Sequence, residues 1–517
     1  MGKHVRAVFR FCLVAGVLCL ALAPALPLVF SALARQSAEP ANSTAFRHAM
    51  LSSLRLGAGV SVLALLIGLP TGLLAALYAF PARRPLLLFQ AFPLLLPSFL
   101  PCIGWSNLAA ARWLAWLPAV DGFAGCLLVL GLQSAPLPLL ATWAACQNLT
   151  ASQIDAARLH GGEKSVLKLS ARACIPVATL AALLGGILSL SDPGAPLIFG
   201  VRSVATEIRV QFSAWHDYDL AGRECLMLAG LVLLLTGPLL LVGLRSLATA
   251  ALARQTRPVI PYPHPVLSRL ALAGLGILLF VAAMLPAFGL CLPAMQNPMF
   301  ARAGQKVAAT ASPTLIFAGG AGVVAVTLAT LLALATARCP HGQLAVLAVL
   351  LALLASPPAL AGIGVSRLAT YAPAQFDWLT RGDLTVALAL GLRFLPVATV
   401  GMMRAVGSMP VSWLDAGRVH GVAPAKILYR VILPYLTAAI VASLLLVMVL
   451  AAADITTTQF LQPVGRQSLP VAIFTVMANS PDGLVASLCL LYLAWVAVML
   501  AAAAQLPRLW KWKRSPA

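Results

Sequence analysis

The sequence has few charged residues, and acidic residues are especially scarce. Only 9% of its 517 residues are charged, with 14 Asp and Glu against 35 Lys and Arg. A soluble domain carries about 25% charged residues, so this composition excludes an ordinary soluble protein. The hydrophobic fraction of 61% and the mean hydropathy of +0.95 instead predict a polytopic protein of the lipid bilayer.

Catalytic and metal-binding patterns are also lacking. The chain has no Gly-x-x-x-x-Gly-Lys-Ser/Thr phosphate loop, so ATP hydrolysis is expected elsewhere. Its ten Cys include no Cys-x-x-Cys pair, and most lie in apolar runs, as small buried hydrophobes do. His160 and His420 are interpreted as solvated or partner-facing, with a metal role as the alternative. We therefore predict no cofactor, no metal and no enzyme activity on this chain.

Apolar runs long enough to cross a bilayer recur along the whole chain. The first extends to about residue 33, although a signal peptide cleaved after Ala21-Leu22-Ala23 is the rival interpretation. Further runs of about 20 residues lie near 53–80, 86–110, 123–147, 174–191, 222–247, 267–292, 313–338, 343–366, 384–408, 434–453 and 484–506. We expect an all-α polytopic membrane protein with about twelve transmembrane helices in two six-helix repeats.

The positive charge is distributed unevenly between alternate loops. With the N terminus inside, most Lys and Arg fall in cytoplasmic loops, in agreement with the positive-inside rule. The formal charge of +21 is thus interpreted as a topology signal rather than as a nucleic-acid-binding surface. Both termini are predicted to be cytoplasmic.

One polar segment occurs twice, at 152–161 and at 412–421. The Ser, Asp, Ala, Arg, His and Gly of the two copies match at a constant offset of 260 residues, which indicates two related halves. Pro97 and Pro357 match at the same offset and predict a broken helix in the third span of each half. We predict a first half at 1–250, a Pro-rich cytoplasmic linker at 251–266 and a second half at 267–517, with parallel topology.

Each copy has the features of a short capped helix outside the membrane. Ser152 stands three residues before Asp155, as in a capping box, and Gly161 can end the helix in a left-handed turn. An ordinary loop helix is the alternative, but the recurrence favours docking into a partner protein. The predicted docking residues are Asp155, Ala156, Ala157, Gly161, Asp415, Ala416, Gly417 and Gly421.

The two copies resemble the EAA loop of ABC importer permeases. That pattern has Glu-Ala-Ala, three residues, Gly, nine residues and Ile-x-Leu-Pro, and the copies here continue to Ile175-Pro176 and Leu433-Pro434. The resemblance implies a type I importer permease fold, in which each loop is a coupling helix seated in an ATPase subunit. Asp replaces Glu in both copies, Gly417 replaces the second Ala, and the first loop is two residues longer.

A doubled loop in a twelve-span chain is similar to the fused permeases of ferric-iron, thiamine and aminophosphonate importers. The segments at 191–196 and 453–458, after the two fifth spans, also look like these permeases. The resemblance implies two ABC ATPase subunits that carry ATP and Mg²⁺ at the cytoplasmic face. It also implies a periplasmic or lipid-anchored solute-binding protein and a bacterial inner-membrane location. Ferric iron is the first substrate expectation, with thiamine or a phosphonate as alternatives.

Arg393 lies at about the middle of a predicted span. A charge at that depth is costly, so Arg393 is a candidate for the transport pathway or gate, with a structural Arg between packed helices as the alternative. Gln133 is its counterpart at the offset of 260. Asp192 and Asp454, which follow the fifth spans, complete the candidate set, although turn formation accounts for them equally well.

These patterns favour a permease that moves a small solute by alternating access. The alternative is a secondary transporter with internal repeats, driven by an ion gradient. That mechanism needs intramembrane acids, and no Asp or Glu lies clearly at the middle of a predicted span. A membrane-embedded enzyme would need a nucleophile–base or metal cluster, which the sequence does not present.

Overall fold

The computed structural model of the chain describes residues 3–34, 44–111, 120–252, 261–337, 339–371, 373, 375 and 381–512. Within these ranges the regular elements are helices, and one isolated parallel bridge joins Tyr78 to Tyr262. Half of the predicted linker, 253–260, and the end of the basic tail, 513–517, lie outside the described residues.

The described residues of the first half form eleven α-helices and one 3₁₀ turn at Pro93–Leu95. They are α1 (Lys3–Leu22), α2 (Ala25–Ala34), α3 (Thr44–Leu77), α4 (Arg83–Phe89), α5 (Phe99–Ala110), α6 (Gly122–Ser134), α7 (Pro136–Cys146), α8 (Ala151–Leu190), α9 (Gly194–Ile198), α10 (Val204–Ser213) and α11 (Tyr218–Leu252).

The second half follows the same order, with π-helical turns at Phe280–Met284 and Leu428–Ile432. Its α-helices are α12 (Leu267–Leu279), α13 (Leu285–Gln296), α14 (Phe300–Thr336), α15 (Pro340–Ala355), α16 (Pro358–Tyr371), α17 (Asp383–Gly407), α18 (Val411–Val419), α19 (Pro424–Ile427), α20 (Leu433–Ala453), α21 (Thr456–Leu461), α22 (Leu469–Val476) and α23 (Asp482–Trp512).

Nine of the described helical segments are long and apolar enough to cross a membrane, or eleven if each of two bent pairs counts as one span. The prediction of an all-α, multi-pass membrane protein is confirmed. The predicted number of about twelve exceeds this count because the first run is divided at Ala23–Pro24. Pro cannot continue a helix without losing a backbone hydrogen bond, and only the short apolar stretch Phe11–Leu22 remains there.

The third span of each half is sharply broken, as the prolines predict. The helical segments on either side of the break meet at 92° in the first half and at 90° in the second. Leu96 and Ser356, which precede Pro97 and Pro357, are both extended, with ψ of 141° and 147°. A residue before proline is sterically excluded from the helical region, which explains why both spans break at the same repeat position.

The two halves pack in equivalent ways and interlock. The second span lies against the fourth and fifth in each half, as α3 with α7 and α8 and as α14 with α17 and α20. Between the halves, α5 packs on α13 and α16 packs on α2. Gly104 touches the backbone of Pro286, and Gly364, 260 residues later, touches that of Pro24, so neither glycine has room for a side chain.

Candidate functional site

The first polar segment forms the initial turns of α8. Thr150 caps this helix, since its hydroxyl accepts a 3.3 Å bond from the Gln153 N–H and the Gln153 side chain accepts a 3.1 Å bond from the Thr150 N–H. The predicted cap at Ser152 is therefore wrong, because the helix already begins at Ala151. The capping box is present, two residues earlier than predicted.

The first segment stops at a pair of glycines that interrupts α8. Gly161 has φ −158° and ψ 25°, whereas Gly162 has φ 63°. The left-handed residue is thus Gly162 and not Gly161, which corrects the prediction. The second copy has Val422 at the matching place, so the additional glycine allows the turn to move one residue onward before the helix resumes.

The second polar segment forms α18 and ends as predicted. Gly421 has φ 64°, and the N–H of Val422 donates a 2.9 Å bond to the Gly417 carbonyl, as in a Schellman motif. Ser412, the counterpart of Ser152, lies inside the helix. A Cβ at Gly417 would lie only 2.8 Å from Ile427 Cδ1. Glycine at this position, in place of alanine, therefore leaves room for the Ile427 side chain of α19.

Both copies present their predicted docking residues to the outside. Asp155, Ala156, Asp415 and Ala416 are exposed, whereas Ala157 is half-buried against Tyr78 and its apolar neighbours. Each segment also carries one large apolar residue that is almost fully exposed. Leu159 is 90% exposed and Val419 is 84% exposed.

Leu159 and Val419 were not among the predicted site residues. They stand 260 residues apart, and each lies between an Arg and a His in an otherwise polar segment. That offset was the signal that could have identified them, since a water-facing loop helix has no need of a large apolar residue at the same position in both copies.

A polar cluster ties the first segment to two other parts of the chain. The Arg158 Nε lies 2.6 Å from Glu163 Oε1, and its guanidinium carbon lies 4.1 Å from the centre of the Tyr262 ring. The Tyr78 hydroxyl donates a 2.6 Å bond to the other Glu163 oxygen. Burial and this bond to a carboxylate raise the pKa of Tyr78, which lies just beyond the end of α3, so its hydroxyl remains a neutral donor.

In the first half, polar groups gather around the broken third span. The Gln133 side-chain amide donates to the carbonyls of Leu96 and Pro93, at 2.7 and 3.2 Å. The Ser98 hydroxyl donates a 2.7 Å bond to Asp192, which also accepts bonds from backbone N–H groups at the start of α9. The break frees carbonyl groups inside the bundle, and Gln133 satisfies them.

In the second half, Arg393 takes the position of Gln133. Its Nη1 donates a 3.3 Å bond to the Ser356 carbonyl, the repeat counterpart of that of Leu96. Its Nε lies 2.7 Å from Asp454 Oδ2, and these side chains are only 11% and 5% exposed. The other Asp454 oxygen accepts a 2.8 Å bond from the Thr457 N–H. The four candidate pathway residues thus lie in two groups, one at each broken span. Gln133 and Arg393 bond equivalent carbonyls, whereas Asp192 bonds Ser98 and Asp454 pairs with Arg393.

Glu224 is a buried acid within a membrane-spanning segment. It lies in the apolar stretch Tyr218–Pro238 and is 3% exposed. Its Oε2 has no hydrogen-bond partner among the described residues. Glu224 is the third residue of the predicted span 222–247 and the seventh residue of its helix, so this acid lies near one end of the span rather than at its middle. No group of three or more His, Cys, Asp or Glu in the described ranges is arranged to hold a metal ion.

Comparison of the chain with protein-family models, curated proteins and solved structures gives no significant match. Its function is therefore inferred from the repeat, the geometry of the two segments and the resemblance of their sequences to EAA loops.

Proposed function

We propose that the chain is the permease subunit of a binding-protein-dependent ABC importer, with both membrane-spanning halves fused. The observation that carries this proposal is the pair Leu159 and Val419. Two equivalent, highly exposed apolar side chains project from two short helices that end at glycine turns. This arrangement supports docking to two copies of the same partner, as an importer with two ATPase subunits requires.

The docking interaction has a simple physical basis. Burial of an exposed Leu or Val side chain in a cleft contributes about 1.5–3 kcal/mol. The exposed Asp155 and Asp415 around it supply a polar rim, which is the usual arrangement at a protein interface. ATP and Mg²⁺ would be bound by the partner subunits, and closure of these subunits would displace both polar segments together.

The groups at the broken spans support a pathway between the halves. Non-helical backbone at membrane depth is tolerated where it is buried in protein or lines a cavity, and both breaks are held by polar side chains. In the proposed mechanism the two bundles rock about these breaks and expose a small solute to each side in turn. A periplasmic or lipid-anchored binding protein would deliver the solute, in a bacterial inner membrane with both termini cytoplasmic.

Ferric iron is the proposed substrate, on sequence resemblance alone, with thiamine and phosphonates as alternatives. The test is uptake of labelled ferric iron by iron-limited cells that lack other iron importers, with and without the gene. Gene-dependent uptake supports iron. Equal uptake eliminates iron, and the same cells then serve to test labelled thiamine and an aminophosphonate.

A secondary transporter driven by an ion gradient is the second candidate, and Glu224 favours it. A buried carboxylate with an unpartnered oxygen is the kind of group that such transporters use to bind protons or cations. The two candidates differ in their energy source. Transport by the purified chain alone, driven by an ion gradient, would favour the second candidate.

A further inference from the structure

The connector between the halves is bonded to the end of α3. The Tyr262 N–H donates a 2.9 Å bond to the Leu77 carbonyl, and the Ala79 N–H donates a 3.0 Å bond to the Tyr262 carbonyl. This two-bond pairing is the one isolated bridge in the described part of the chain. It fixes the backbone of the connector, and with it the direction of the Tyr262 ring.

The Tyr262 ring makes one of the contacts that hold the Arg158 side chain. The guanidinium stacks on Tyr262 and contacts Glu163, and Glu163 in turn accepts from the Tyr78 hydroxyl. The side chains of Arg158 and Glu163 are only 24% and 20% exposed. The Arg158 Nη1 also lies 3.5 Å from Asp155 Oδ1 on the same helix. Arg158 is therefore held by Tyr262 and Glu163 in addition to this local contact, and it is the residue immediately before Leu159.

The same set of contacts reaches the first helix of the second half. The His264 ring meets the Tyr78 ring edge to face, with 6.0 Å between centroids. Its Nδ1 accepts a 3.1 Å bond from the N–H of Leu267, the first residue of α12. Leu267 also packs in the apolar cluster that contains Tyr78. The first polar segment, the end of α3 and the start of α12 thus meet at one point.

We propose that the connector is a positioning element for the first polar segment, in which Tyr262 and Glu163 fix Arg158 and thereby the orientation of Leu159. The second segment has no counterpart of Glu163, because the stretch 421–433 contains no acidic residue. The two segments therefore differ in how firmly they are held, even though their sequences repeat. The positioning role depends on the structure alone, and only its consequence for coupling rests on the proposed function.

The test uses the full-length chain in a Cys-free background with a spin label at position 159 or, as the control, at position 419. Tyr262→Leu removes the aromatic face and should raise the mobility of the label at 159 severalfold, with no change at 419. Tyr262→Phe keeps the face and should restore the original spectrum. Glu163→Gln, which weakens the other contact, should give an intermediate increase at 159.

Unchanged mobility at 159 in Tyr262→Leu overturns the proposal, as does an equal increase at 419, which would indicate general loosening. If Tyr262→Leu does not fold, the comparison of Glu163→Gln with the parent decides in the same way. With the ATPase partner added, the solute transported per ATP should fall severalfold in Tyr262→Leu and recover in Tyr262→Phe. A mobility change without any partner response leaves the positioning role standing and counts against the proposed function.

Discussion

Arg393 and Asp454 form a buried ion pair that links the fourth span of the second half to the segment after its fifth span. The first half uses the neutral Gln133 at the same position, and both side chains donate to the carbonyl freed by a broken helix. The two halves therefore satisfy the freed carbonyl in the same way, but the side chain that does so is neutral in the first half and charged in the second. The additional charge in the second half is balanced by Asp454.

Removal of one member of this pair should be more harmful than removal of both. Arg393→Met leaves a buried carboxylate unpaired, and a loss of about 3–5 kcal/mol in stability is typical of such a change. The double variant Arg393→Gln with Asp454→Asn, which leaves neither charge without its partner, should recover much of it. Unfolding in detergent of the parent, Arg393→Gln, Asp454→Asn and the double variant measures the coupling. Strictly additive losses would show that the ion pair has no energetic role.

If Arg393→Met is as stable as the parent and transports at its rate, Arg393 is excluded from the gate.

The exposed apolar residues should control partner binding. Leu159→Asp and Val419→Asp are each expected to weaken binding of the ATPase subunit by about tenfold or more, since the lost burial is worth about 1.5–3 kcal/mol. Val464→Asp is a matched control, because Val464 is fully exposed but lies on a different loop. Binding of the purified partner to the three variants is the measurement. An equal effect of all three, or of none, would contradict the docking role.

The glycine turns should tolerate no side chain. Gly421→Ala and Gly162→Ala place an L residue at φ 64° and 63°, at a cost of about 1–3 kcal/mol. Partner-stimulated ATPase activity is expected to fall severalfold in both, with expression unchanged. Gly304→Ala, at an exposed helical position with open space, is the control and should be neutral or slightly stabilising. Full activity of Gly162→Ala would show that the first turn is not needed for coupling.

The two polar segments should lie on the same, cytoplasmic side of the membrane. Single cysteines at positions 159 and 419 are highly accessible in the structure and suit an impermeant thiol reagent. Labelling is expected in inverted membrane vesicles and not in right-side-out cells. Labelling of the two positions from opposite sides would exclude the parallel arrangement of the halves.

Features that depend on local chemistry could be predicted from the sequence. Apolar runs located the spans, and Pro97 and Pro357 located the two breaks, because proline acts on the residue immediately before it. The turn at Gly421 follows from the preference of glycine for positive φ. In the first copy two glycines stand together, and pattern alone could not decide between Gly161 and Gly162.

Features that depend on distant contacts could not be predicted. Tyr262 lies about one hundred residues from Arg158, and nothing in the local sequence indicates that the connector returns to the first polar segment. The partner of Arg393 is a similar case, since Asp454 lies sixty-one residues away in a different span region. The burial of Glu224 depends on neighbouring helices, which hydropathy does not record.

The central claim is that the chain moves a solute with energy supplied by ATP hydrolysis on docked partner subunits. The most direct measurement is solute uptake into proteoliposomes that contain the chain, the ATPase subunits and the binding protein. The account predicts uptake that requires ATP, persists without any ion gradient and is lost when Leu159→Asp and Val419→Asp are combined. Uptake by the chain alone, driven by a proton or sodium gradient and unaffected by this double variant, would contradict it.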